Sequence, residues 1–298
     1  MNRRIIFMGT PDFAVASLNA LIDARMEVVA VVTAPDRPAG RGQQLRMSAV
    51  KQRAMELGLQ VLQPEKLRAP EFLSQLDALD ASLYVVVAFR MLPETVWNRP
   101  RLGTMNLHAS LLPDYRGAAP INWAIINGDR HTGVSTFLIG ADIDTGDILL
   151  RKEITIADDD DAGTLHDRMK EVGAALLVHT AKDIFDGTVS GMPQMDFIGD
   201  AVHEAPKLTR GNCRIDWSRP AQHVHDLVRG LAPEPGAWSM WAEPGKPEAS
   251  FKILRSRPIT HTHRIGDPGA VGVIDGKLLV QCGTGVLEAL LIQAQGKR

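Results

Sequence analysis

The chain has 298 residues, 45% of them hydrophobic and 23% charged, with two cysteines and a formal net charge of −2. That suits a soluble globular protein of one large domain or two ordinary ones, and excludes a strongly basic nucleic-acid coat protein but not a local basic face. Cys213 and Cys282 lie far apart and match no metal spacing or disulfide framework, so a reducing cytoplasm is expected; no apolar run reaches membrane-spanning length.

In chain order, residues 4–8 form a short apolar run ending at Gly9 and read as a first strand. Pro11 can open a helix, and 12–24 carry helical spacing. The β-branched stretch 27–33 predicts a buried strand, and the Pro-, Gly- and Arg-rich stretch 34–46 a long exposed loop. Residues 47–57 read as a helix, 59–62 as a short strand, 70–79 as a helix and 82–88 as the clearest buried strand. A short helix near 93–98 leads to a strand at 104–108, and a helix follows at 119–127. Strands at 133–139 and 148–155 flank an acidic turn, and 164–185 form a long amphipathic helix ending at Gly187. The acidic run 158–161 reads as the solvated start of that helix. Residues 188–206 lose periodicity and read as a linker. Beyond it come one helix, about 220–230, and short β-rich stretches at 238–242, 250–255, 270–275, 277–281 and 286–292.

The alternation of strand and helix predicts an α/β domain over 1–187, doubly wound around a mainly parallel sheet. The later short strands predict a smaller antiparallel β-barrel over 207–298. In open parallel sheets, ligands sit beyond the carboxyl ends of the strands. Gly9, Ala88, Phe89 and His108 all fall at such ends.

The loop after the first strand has one glycine where a dinucleotide fold carries three, and Pro11 removes a backbone donor, so a nicotinamide cofactor is not expected. Asn106 and His108 are two residues apart on a predicted strand and leave the same face. A strand-end histidine is commonly just a hydrogen-bonding group, but an amide beside it and a polar loop after it serve packing poorly. With a carboxylate from the turn holding Asp142, Asp144 and Asp147, this set can transfer an acyl group without a covalent enzyme intermediate. Those acids also read as ordinary turn formers. No metal is expected: no second His or Cys lies at ligand spacing, and the acidic turn lacks the rest of a calcium loop. Basic residues gather at 36–53, 207–219 and 252–264, the first with Asp36 as its only acid.

Several motifs carry a resemblance along nearly the whole chain: Phe7–Ala14 (Phe-Met-Gly-Thr-Pro-Asp-Phe-Ala), Arg37-Pro38-Ala39-Gly40-Arg41-Gly42, and Asn106-Leu107-His108-Ala109-Ser110-Leu111-Leu112-Pro113. They continue in Tyr115-Arg116-Gly117-Ala118-Ala119-Pro120-Ile121, Ile143-Asp144-Thr145-Gly146-Asp147-Ile148, and Lys207-Leu208-Thr209 with Ile215-Asp216-Trp217. The chain resembles the methionyl-tRNA formyltransferases, within the wider family that uses 10-formyltetrahydrofolate. The Asn-x-His motif and the later Asp mark the wider family; the arginine loop, the Arg-Gly-Ala-Ala-Pro-Ile element and the C-terminal domain narrow it.

The resemblance implies a formyltransferase domain over 1–187, a linker over 188–206 and an oligonucleotide-binding-like domain over 207–298. It implies Asn106, His108 and Asp144 as the catalytic set, with 10-formyltetrahydrofolate as formyl donor and the α-amino group of initiator methionyl-tRNA as acceptor. It also implies a folate slot bordered by Phe89, Met91, Leu92, Ser110, Leu111, Leu112, Pro113, Gly140 and Asp142, and tRNA contacts from Arg37, Arg41, Arg46 and Lys207. A monomer serving translation initiation in the cytoplasm, with no membrane partner, is expected. Two departures stand out: Asn122-Trp123 occupies positions where a Gln and a basic residue are expected, and 46–49 lack an expected proline-rich character. From the residues alone, two other readings remain: a formyltransferase for a small amine, and a non-catalytic folate- or RNA-binding module.

Overall fold

The continuous Val, Ile and Leu runs of the first half have one physical solution, a sheet covered on both faces. A computed structural model describes residues 2–39, 44–199, 202–242, 245, 247–259 and 264–294. The strands and helices run β1 (Ile5–Gly9), α1 (Asp12–Asp23), β2 (Val28–Val32), β3 (Arg37–Ala39), β4 (Gln44–Arg46), α2 (Ala49–Glu56), β5 (Val61–Leu62), α3 (Pro70–Ala78), β6 (Leu83–Val87), α4 (Glu94–Trp97) and β7 (Thr104–His108). They continue with β8 (Arg116–Gly117), α5 (Pro120–Ile126), β9 (His131–Leu138), β10 (Ile148–Thr155), α6 (Ala162–Asp186), β11 (Glu204–Ala205), α7 (Ala221–Leu231), β12 (Ala237–Trp241), β13 (Ala249–Ile259), β14 (Val271–Ile274), β15 (Lys277–Gln281) and β16 (Val286–Ala294).

The main sheet has seven strands in the order β10-β9-β7-β6-β1-β2-β5. β1 pairs in parallel with β2 and β6, β2 with β5, and β6 with β7, while β7 pairs antiparallel with β9. The period-two rule sorts the side chains: Ile6, Met8, Tyr84 and Val86 share one apolar cluster with Phe72, Leu76 and Val96. Every residue of β1 and β6 is buried, and each such large apolar side chain contributes about 1.5–3 kcal/mol relative to exposure.

The stretch 34–46, expected as a loop, holds a short antiparallel ribbon of β3 and β4. Its base is fixed where Lys51 and Gln63 both donate to Asp36.

The chain divides into two compact units. The first comprises Met1–Arg116, Gly133–Ile154 and Asp167–His203; the second comprises Gly117–Thr132, Thr155–His166 and Glu204–Arg298. The second unit contains a five-stranded antiparallel sheet, β12-β13-β16-β15-β14, the small β domain that the short, Gly-punctuated strands predicted. α7 packs there on α5. Asn122 donates to Gly230 O at 2.8 Å, and a Cβ at Gly230 would lie 2.6 Å from Ile126. Asn122, one of the two departures noted above, thus serves helix packing.

The acidic run 158–161 is not simply a solvated helix start. Asp160 is 5% exposed and accepts from Ala157 N at 2.7 Å. Asp161 accepts from Thr164 N at 2.8 Å, capping α6. Arg229 pairs with the buried Asp226 at 2.8 Å and donates to Asp160 O.

Candidate active site

β7 ends at the carboxyl edge of the sheet, and alternation puts Asn106 and His108 on one face of it. Asn106 lies between Val86 on β6 and Phe137 on β9. Its Oδ1 is buried and has no hydrogen-bond partner among the described residues. A buried polar atom left in that state is costly, on the order of 1–3 kcal/mol, which makes this oxygen a candidate contact for a ligand.

His108 is 7% exposed, and its Nε2 lies 2.9 Å from Tyr115 O. A carbonyl only accepts, so Nε2 carries a proton, and the tautomer of the neutral ring follows. The other nitrogen, Nδ1, faces Asp144 Oδ2 at 3.8 Å, and the two side chains are 8% and 15% exposed. That distance exceeds a hydrogen bond but places the carboxylate beside the nitrogen that is not tied to the backbone.

Two loops frame this pair. Loop 109–116 is closed internally: Ser110 Oγ donates to Asp114 O at 2.5 Å, and Ser135 Oγ bridges Leu112 N and Ser110 O. Arg151 donates to Leu112 O at 3.1 Å and stacks over Phe197 at 3.9 Å. Turn 139–147 folds back sharply on the end of β9, and Asp144 adopts φ 52°. Ala88, just past β6, and Tyr115, whose carbonyl meets His108, also have positive φ, 46° and 58°. Non-glycine residues in this region are uncommon and gather where backbone shape serves a site.

The residues expected to border a folate slot divide by environment. Phe89 is half-buried against the core, Leu92 is buried and Met91 is 78% exposed. Gly140 has open space where a Cβ would be, and Asp142 is exposed. Leu111 packs over Gly133, and Pro113 is buried. Ser110 and Leu112 are tied into the protein through their side chains. The Ser110 hydroxyl is engaged by Asp114, and Leu112 is fully buried against Phe137 and Ile148.

Of the four basic residues, Arg37 and Arg46 are exposed and sit opposite each other in the β3–β4 register. Like charges so opposed destabilise a ribbon by themselves and suit a polyanion. Arg41 lies outside the described residues. Lys207 is exposed in the second unit.

The sequence reading missed Gln194. It lies in a 3-10 turn, Gln194–Phe197, inside the expected linker, yet is 4% exposed. Its amide reaches the turn that bears Asp144. No periodicity marked it, although Arg116, its partner at 2.6 Å, stood inside a motif already singled out. Among the described residues no helix is long and apolar enough to cross a membrane, and no group of three or more His, Cys, Asp or Glu is placed to hold a metal ion.

Comparison with known proteins places the chain in a family. Residues 3–181 match the formyl transferase family and 207–298 the formyl transferase C-terminal domain. The methionyl-tRNA formyltransferase of Bacteroides fragilis is 47% identical over 298 residues, covering 99% of this chain and 91% of that protein. That of Parabacteroides distasonis is 52% identical over 269 residues, covering 88% and 83%. Among solved structures, an N-formyltransferase from Helicobacter canadensis, in complex with folinic acid and dTDP-3-aminofucose, shares the fold. It has a TM-score of 0.68 at 18% identity, over 99% of this chain and 100% of that one. The full-length likeness to the first two, far above the level at which only a fold is shared, means that the chain belongs to the methionyl-tRNA formyltransferase family.

Proposed function

We propose that the chain transfers the formyl group of 10-formyltetrahydrofolate to the α-amino group of methionine on initiator methionyl-tRNA, supporting translation initiation in the cytoplasm. The observation that carries this reading is the convergence of three groups at one strand end. Asn106 brings a buried, unpartnered side-chain oxygen, His108 is anchored through Nε2, and Asp144 lies beside Nδ1. The names of the relatives support the acceptor, and folinic acid in the Helicobacter canadensis structure is consistent with a folate donor.

The chemistry asks little base strength of the protein. A free α-amino group has a pKa near 8, so neutral amine is available near neutral pH. The amine nitrogen attacks the formyl carbon, a C–N bond forms, and the carbonyl oxygen takes negative charge. Asn106 donates to that oxygen, and His108 assists once its Nδ1 has taken the proton of the amine; the amide oxygen and nitrogen of Asn106 exchange by a half-turn, so the unpartnered position can present the donor. The bond to N10 then breaks, and the proton lost by the amine goes to N10 through His108 or a water held by Asp144. The protein's main contribution is alignment and charge stabilisation. Residues 1–187 would house this chemistry, with 207–298 and the arginine ribbon holding the tRNA. Arg37, Arg46, Arg41 and Lys207 would meet its phosphates.

The test is formyl transfer to methionyl initiator tRNA by wild type, His108→Ala and Asp144→Asn. Each substitution is expected to lower kcat on the order of 10²–10³ while leaving the circular dichroism spectrum unchanged. Near-wild-type turnover of either would overturn the assignment. No transfer by the wild type, with folate still bound, would overturn the acceptor.

A further inference from the structure

Gln194 is placed where a loop residue has no packing reason to be. Its side-chain amide is fully engaged: Nε2 donates to Asp144 O and to Gly146 O, each at 2.8 Å, and Oε1 accepts from Arg116 Nε and Nη2 at 3.0 and 2.6 Å. Two carbonyls can only accept and a guanidinium can only donate, so the amide has one possible orientation. The turn it grips is tightly shaped. Asp144 is in the left-handed region at φ 52°, and at Gly146 a Cβ would lie 1.6 Å from Leu138 O. The segment that carries Gln194 is itself secured. Met192 and Ile148 exchange two backbone hydrogen bonds of 2.8 Å, and Phe197 lies under the Arg151 guanidinium that donates to Leu112 O. Through Arg116, Arg151 and the two carbonyls, this short strap touches both loops that frame His108.

The geometry points to Gln194 as a positioning residue that holds Asp144 in the backbone conformation presenting its carboxylate to His108. This rests on the proposed roles of His108 and Asp144. Gln194 touches no reacting atom. It acts by clamping the carbonyls on either side of Thr145, so that the left-handed residue cannot relax. Arg116 sets the plane of the amide in turn. A plain space-filling role would be met by leucine or methionine, which would forgo the hydrogen bonds to two part-buried carbonyls and a guanidinium.

The experiment is a double-mutant cycle on the full chain, reading kcat and KM for methionyl-tRNA and for 10-formyltetrahydrofolate. Gln194→Ala and Gln194→Glu are made in the wild type and in Asp144→Asn. Glutamate keeps one oxygen on Arg116 but sets its other oxygen, which cannot donate, against the two carbonyls, so it loses both carbonyl bonds with little change of volume. Each single variant is expected to lower kcat roughly ten- to hundredfold, the scale of a misplaced catalytic group, with both KM values nearly unchanged. In the Asp144→Asn background the further loss should be about twofold or less, because the group being positioned is already disabled. Should Gln194→Ala fold poorly, Gln194→Glu, checked by its melting curve, decides alone. Singles within about threefold of wild type, or a full multiplicative loss in the Asp144→Asn background, would overturn the inference while leaving the reaction chemistry standing. Wild-type turnover by Asp144→Asn alone would overturn the chemistry and the inference with it.

Discussion

Replacing Gly146 by alanine tests the site through its backbone, without touching any reacting group. A Cβ at this position would lie 1.6 Å from Leu138 O and 2.9 Å from its carbonyl carbon. Carbon–oxygen contacts close to roughly 3.3 Å, so the turn must retreat from the end of β9 by about 1.7 Å. Leu138 cannot yield in its place, since its N–H is bonded to Asp147 O and its strand is paired with β7. Asp144, two residues upstream in the same turn, moves with it, and the 3.8 Å separation from His108 changes by a comparable amount. A misplacement near 1 Å costs on the order of 10²-fold in rate. The stability cost is that of a strained insertion, about 1–3 kcal/mol. The expected outcome is therefore a folded protein with kcat reduced about a hundredfold. The assay is steady-state formyl transfer at saturating folate and tRNA, with circular dichroism and a melting curve on the same sample. A kcat within about threefold of wild type would refute the reasoning, because either the turn is softer than its contacts imply or the position of Asp144 does not matter.

Two other outcomes follow from features of the second unit. His225 is held below its ordinary pKa by burial, opposed by the neighbouring Asp226 and reinforced by Arg229. The unfolded chain therefore takes up the proton more readily below about pH 6.5, and stability falls as pH drops through that value and levels off below the folded pKa. Urea unfolding of His225→Gln between about pH 8 and pH 5 should show a shallower loss than wild type, and equal slopes would remove His225 from the account. Lys207→Ala should weaken tRNA binding and reduce the slope of log K against log salt by roughly 0.7–0.9, one phosphate contact; fluorescence anisotropy across a salt series reads this directly, and an unchanged slope would exclude the contact.

The sheet was legible because its cause is local. Val85, Val86 and Val87 have no amphipathic choice, so the run is a strand buried on both faces, and period two then sends Asn106 and His108 to the same side of β7. The same periodicity, interrupted by glycine and proline, exposed the small antiparallel domain. The ribbon within 34–46 was not legible, because an Arg-Pro pair beside glycines carries turn chemistry but no alternation. Nor was the composition of the second unit, which takes in Gly117–Thr132 and Thr155–His166 from far earlier in the chain. That grouping depends on contacts such as Asn122 with Gly230, and no local pattern encodes them.

Within the site, the residue types and the two-residue spacing of Asn106 and His108 were properties of the sequence alone. The tertiary structure decided three things. Tyr115 O took His108 Nε2 and so chose the free nitrogen. The left-handed Asp144 was brought to 3.8 Å from that nitrogen. Gln194, in a stretch without periodicity, was brought against the Asp144 turn. The physical reason is the same in each case. Side-chain patterning reports which face a residue takes, whereas hydrogen bonds between loops depend on how the chain closes over long separations, and loop closure leaves little mark on local sequence.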